Sequence, residues 1–323
     1  AASRGGGVHA SLARSVGRTR PLTSVSDVDG WDCSAQAILD HLERSNLFVI
    51  PLDGKREWYR YHHLWSDLLQ HRLRQEAPDL IPILHGQASA WYEVQGLKSE
   101  AIEHTLLAGD VEWTAQLLDE HAETLWGRGE QATMARWLQA LPDGVMRTRP
   151  RLCVYYGLFL LWNGQLEEAE SLLQAAECAS KAPSDGHAQR KTELRGMIAA
   201  VRAYIAYFEG DASRVVACAQ EALACLPEEK SMLRSAAASV LGDAYSMIGN
   251  LDRGSQAYAQ AVALAKAANN AHFVLLASLK LATNLLLGGK TTRAIEMCER
   301  QLEYANESGF AATARAGGIL AVW

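Results

Sequence analysis

Apolar residues recur along this chain at two different periods. Over residues 34–44, Ala37, Ile38 and Leu42 fall on one face at helical spacing, which predicts a short amphipathic helix. Residues 47–53, LFVIPLD, and 57–61, EWYRY, read instead as two β-rich runs around an Asp53-Gly54 turn, and so predict a hairpin. A charged helix over 62–75 follows, and Pro78 ends it. Helix, two-stranded wing, helix is the tail of a winged-helix module, so residues 34–78 are assigned to a winged-helix segment. From Leu80 onward the helical period continues almost without interruption.

The helical part repeats. Gly96, Gly164, Gly210, Gly249 and Gly289 each follow a long apolar helical run and precede a second one by one or two residues. Five positions after each stands a mostly small residue: Ala101, Ala169, Val215, Gly254, Ala294. A glycine lets the chain turn, and a small side chain lets the second helix approach the first closely. The last three glycine intervals are 46, 39 and 40 residues, and the first, 68, has room for an extra helix pair around 131–141. In LGDAYSMIGNLDRGSQAYAQA, residues Leu241, Gly242 and Tyr245 sit where the first helix of a tetratricopeptide repeat (TPR) carries Leu, Gly and Tyr, and Gly254, Tyr258 and Ala261 match its second helix. Gly157, Ala169 and Ala176 take the same offsets in an earlier repeat. The expected fold is mostly α: a short winged-helix remnant, then a TPR-like α-solenoid of superhelical helix pairs over 80–323, truncated at the C-terminus.

Composition narrows the function classes. Of 323 residues, 49% are hydrophobic, enough for a large core, and the net charge of -6 is spread among interspersed acids and bases. No bulk footprint for nucleic acid is present. Six scattered cysteines without a C-x-x-C pair read as buried free thiols, and no apolar run is long enough to span a bilayer. These features point to a cytoplasmic chain without membrane contact. Residues 1–33, rich in Arg, Ser and Gly, read as a disordered or non-native leader.

Few residues suggest chemistry. GGKTT, ending at Thr292, mimics the close of a phosphate-binding loop, but the first glycine of that motif would fall at Asn284, and the stretch follows a helix where a strand is needed. His62 and His63 point about 100° apart on a helix, and His71 adds no third ligand, so packing outweighs metal binding. Glu167, Glu168 and Glu170 suit a helix N-terminus. The sequence offers neither catalytic nor metal residues. Trp58, Tyr59, Tyr61, His62, His63 and Trp65 are too aromatic for a solvated DNA-reading surface and suit a seam between modules.

The stretch LERSNLFVIPLDGKREWYRYHHLWSDLLQHRL closely resembles the winged-helix segment of the MalT-like, ATP-dependent LuxR-family transcriptional regulators, although that family usually has Phe at the place of Trp65. HGQASAWYEVQGLKSEAIEHTLLAGDVEWTAQLLDEHA and the residues around Leu158 resemble the start of its repeat domain. The resemblance implies an order of nucleotide-binding ATPase, winged helix, inducer-sensing superhelix and C-terminal helix-turn-helix. This chain then corresponds to the middle. It needs no cofactor itself, ATP belonging to the missing N-terminal module, and DNA is reached only through the missing helix-turn-helix. A small-molecule inducer or a regulatory protein is expected on the solenoid groove, with ligand-dependent self-association possible. A TPR-type protein-binding scaffold, or the regulatory half of an ATPase or kinase encoded elsewhere, are the alternatives.

In TPR-like arrays the first helices make the concave wall. Counting from Gly157, Ala203, Gly242 and Ala282 places Arg151, Trp162, Tyr204, Tyr207, Asp243 and Thr283 on it as candidate ligand-binding residues. Rings would bury apolar area while the polar groups fix orientation. The competing reading is ordinary packing between repeats.

Overall fold

The structure, a computed structural model, describes residues 7–9, 35–45, 48–55, 58–180 and 188–307. Most of the expected leader, residues 1–33, lies outside them. The chain forms two compact units, residues 1–142 and 143–323.

The first unit opens with strand β1 (Gly7–His9), helix α1 (Ala35–Arg44), and the hairpin β2 (Val49–Pro51) and β3 (Trp58–Tyr61). Its sheet has the order β1-β3-β2, antiparallel throughout, with Val8 opposite Tyr59 and Ile50 opposite Arg60. The hairpin is the one read from the sequence; the strand Gly7–His9 is the addition, and it makes β3 central. The Asp53 carboxylate closes the turn by accepting the Trp58 N–H at 3.3 Å. Alternation along β3 sends Tyr59 inward, where with Leu39 and Val49 it forms a small core. Helix α2 (His63–Glu76) buries no residue.

Helices α3 (Leu80–Val94), α4 (Lys98–Ala108), α5 (Val111–Gly127) and α6 (Gln131–Gln139) complete this unit. Among the described residues the second unit begins with the short α7 (Asp143–Arg147) and continues as four helix pairs. These are α8 (Pro150–Trp162) with α9 (Leu166–Ser180), and α10 (Ala188–Glu209) with α11 (Ala212–Cys225). Then come α12 (Ser231–Met247) with α13 (Leu251–Ala267), and α14 (Ala271–Leu287) with α15 (Thr291–Glu307).

All five repeat glycines have φ between 70° and 79°, and Gly109 and Gly129 join them inside the long first interval. Their left-handed backbone closes each first helix, as where Asp211 N–H reaches back to the Ala206 carbonyl and Asn250 N–H to that of Tyr245. Where Asp or Asn follows the glycine it also caps the next helix: Asp110, Asp211 and Asn250 each accept the N–H three residues on, whereas Leu97 and Glu130 make no such bond. The residues five positions after the glycines are all buried. A Cβ on Gly157 would lie 3.4 Å from the Ala169 carbonyl oxygen, and one on Gly242 only 2.6 Å from the Tyr258 ring. The helices therefore approach too closely for a side chain at Gly242, while the contact at Gly157 is an ordinary one.

The cysteines differ from expectation in part. The five among the described residues are free, but only Cys153 and Cys298 are buried, and Cys178 is exposed. Glu167 and Glu168 occupy the first turn of α9, whereas Glu170 holds Arg202 of α10 at 2.9 Å.

Candidate functional site: the first-helix face of the repeats and the winged-helix aromatics

The aromatic stretch divides by strand alternation and helix turn. Trp58 meets Trp91 of α3 edge-on, with ring centroids 6.2 Å apart, and so joins the sheet to the first helix of the repeats. Tyr59 is buried and donates its hydroxyl to Asp40 at 3.2 Å. Burial pushes the Tyr61 phenol up from its ordinary range. The His62 N–H donates to the Phe48 carbonyl at 2.7 Å, and its ring lies 4.3 Å from that of His63. Phe48, at φ 60°, stacks on Trp65 at 5.2 Å. Among the described residues no group of three or more His, Cys, Asp or Glu could hold a metal ion.

GGKTT lies in the α14–α15 turn. The backbone N–H groups of Gly288, Gly289 and Lys290 all donate to carbonyls of α14, at Asn284, Leu286 and Leu285. These three are therefore not free to cradle a phosphate, because the end of α14 has already taken them. The Lys290 ammonium pairs with Asp252. Both line an open groove of about 480 Å³ with Asn250, Ser255 and Asn284.

In the second unit the first helices α8, α10, α12 and α14 pack side by side, each against the next. The six candidate wall residues take different places there. The Tyr204 hydroxyl donates to the Ala236 carbonyl of α12 at 3.1 Å, and burial with the Asp243 charge raises its pKa. Asp243 is buried, accepts the Tyr258 hydroxyl at 2.7 Å, and pairs with Lys280 of α14 at 2.6 Å. Tyr207 is half-buried, and the Asp243 charge, with burial, raises its phenol. Arg151 is half-buried. Thr283 is exposed and bonds back to the Leu279 carbonyl at 3.0 Å. Trp162 is 56% exposed, its ring 5.5 Å from that of Tyr204.

Trp162 belongs to a series that the wall count did not include. In the second unit, two residues before each left-handed glycine among the described residues stands a large apolar side chain that is about half or more exposed: Trp162, Phe208, Met247 and Leu287. Trp162 and Phe208 touch edge-to-face across neighbouring repeats, at 6.4 Å. Val94 and Leu107 hold the equivalent place in the first unit and are exposed too. The signal was present in the sequence, as an apolar residue two positions before each of the five repeat glycines. An amphipathic reading assigns such residues to the core, which is why the series is missed.

The fold defines a winged-helix module followed by a TPR-type α-solenoid. Residues 12–81 match the family described as MalT winged helix domain, and residues 196–323 that described as MalT-like TPR region. The chain thus carries the winged-helix and TPR regions of a MalT-like regulator. The HTH-type transcriptional regulator MalT of Yersinia pestis (strain Pestoides F) is 30% identical over 277 residues, covering 85% of this chain and 30% of that protein. The protein of the same description from Yersinia enterocolitica serotype O:8 / biotype 1B matches to the same extent. The chain spans about 30% of the length of these curated relatives. A solved structure, the crystal structure of APC/C hetero-tetramer Cut9-Hcn1, resembles it in fold alone: TM-score 0.51 at 15% identity, covering 91% of this chain and 49% of that chain. No helix among the described residues is long and apolar enough to cross a membrane.

Proposed function

We propose that this chain is the inducer-sensing and signal-coupling region of a MalT-like, LuxR-family transcriptional regulator, with DNA reading and ATP chemistry carried by parts outside it. The observation that carries this reading is the exposed apolar series Trp162, Phe208, Met247 and Leu287 on the first helices. A run of exposed apolar side chains at one repeat position marks a binding face, because isolated surface apolars would not recur in register. Tyr207 and Thr283 supply hydroxyls for orientation, while Tyr204 and Asp243 tie neighbouring first helices together. A ligand on this face therefore bears on the packing between repeats, which is how occupancy is passed along a solenoid. A regulatory protein is the second reading, favoured by the length of the apolar series.

Ligand-observed NMR of this chain against sugars, aromatic acids, acyl compounds and peptides tests the proposal. Trp162→Ala and Phe208→Ala are expected to lose the bound compound with melting little changed. Binding retained in both variants would remove the face from the mechanism.

A further inference from the structure

Within the first unit, five rings form a continuous contact series that ends in two facing imidazoles. Trp58 of β3 meets Trp91 of α3; Trp91 meets Tyr92 at 5.1 Å; Tyr92 stacks on His104 of α4 at 5.1 Å and 27°. His104 Nδ1 then lies 2.9 Å from His85 Nδ1, back on α3. Nδ1 to Nδ1 at this distance leaves room for one proton between the rings: one imidazole donates and the other accepts. We propose that the His85–His104 pair is an acid-sensitive latch that holds the α3–α4 hairpin, and through it the Trp58–Trp91 contact to the winged-helix sheet.

The proton count sets the behaviour. A first added proton can sit on the outward Nε2 of the donor ring and keeps the N–H···N bond. A second must place N–H groups on both facing atoms, and the bond is lost. Both rings are held below their ordinary 6.5 by burial, His104 to about 4 with the His85 charge adding to the effect. The neighbouring charges do not reverse this. Glu103, adjacent on α4, pulls His104 upward, but its carboxylate is shared with Arg136 and the Trp137 indole of α6. Glu100 faces Tyr92, and from α5 His121 sits among Lys98, Glu120 and Glu93. An opened hairpin takes its protons at 6.5, whereas the closed one holds His104 neutral to about 4. The latch is thus fully present above pH 6.5 and is lost as pH falls toward 4.

The test is a histidine-resolved NMR titration of the whole chain with hydrogen exchange read over residues 80–108. Expected are two unequal steps, His104 titrating last. In that second step exchange in α3–α4 should rise roughly tenfold or more, the Trp58–Trp91 NOE should vanish, and α10–α13 should stay protected. His104→Gln and His85→Gln, each unable to collect the second charge, should abolish the local step, and either variant suffices if the other folds poorly. Both rings titrating independently near 6.5, an NOE that survives hairpin opening, or the same local acid step in a folded variant would each overturn the latch.

Discussion

Replacing Gly242 by Ala sets two opposing effects against each other. In a helix interior the change alone is favourable by about 1 kcal/mol, because Gly loses more backbone freedom on folding. Here the new methyl would stand 2.6 Å from Cδ1 and Cε1 of Tyr258, closer than any real Cβ contact, so one of the two must move. Tyr258 is buried and anchored at its hydroxyl by Asp243 at 2.7 Å, so the ring cannot swing away freely. Overpacking of this kind costs about 1–3 kcal/mol. A weakened bond to a charged acceptor adds about 1 kcal/mol. The expected net loss is about 1–3 kcal/mol. Urea denaturation followed by far-UV circular dichroism measures it. Gly157→Ala is the control: its methyl would lie 3.4 Å from the nearest atom, an ordinary contact, and stability should hold or rise. If Gly242→Ala proves as stable as the parent, helices α12 and α13 are not in the register described, and the repeat alignment built on Gly242 fails with it.

Two further outcomes follow from the same buried cluster. Asp243→Asn should cost about 1–3 kcal/mol, since Lys280 keeps its charge without the carboxylate and a partly exposed lysine softens the loss; denaturation of this variant beside Lys280→Met separates the pair from simple packing, and no change in either would discount the pair. Tyr204 and Tyr258 have phenols raised above 10.0 by burial first and the Asp243 charge second, so their contribution is complete below pH 10.0 and is lost as pH rises through the folded values. Ultraviolet titration should show a late-ionising fraction in the folded chain that Tyr204→Phe and Tyr258→Phe each reduce, and ionisation of all tyrosines together in the folded chain would contradict it.

Much of this architecture is written locally. A glycine followed by Asp or Asn both stops one helix and caps the next, and the small residue five positions on fixes how close the two helices come, so the repeats are legible in the sequence without long-range information. The hairpin is legible for the same reason, from strand alternation around Asp53 and Gly54. Partnership is not local. Whether Asp243 faces solvent or Lys280, and whether Tyr204 lines a wall or bonds to Ala236, depends on the side chains of the next repeat, residues more than thirty positions away. The same holds for His85 and His104, unremarkable in sequence until the turn at Gly96 brings their rings together. Periodicity names the face a residue occupies; only the packing of neighbouring helices decides which residues on that face are consumed by contacts and which, like Trp162 and Phe208, stay exposed.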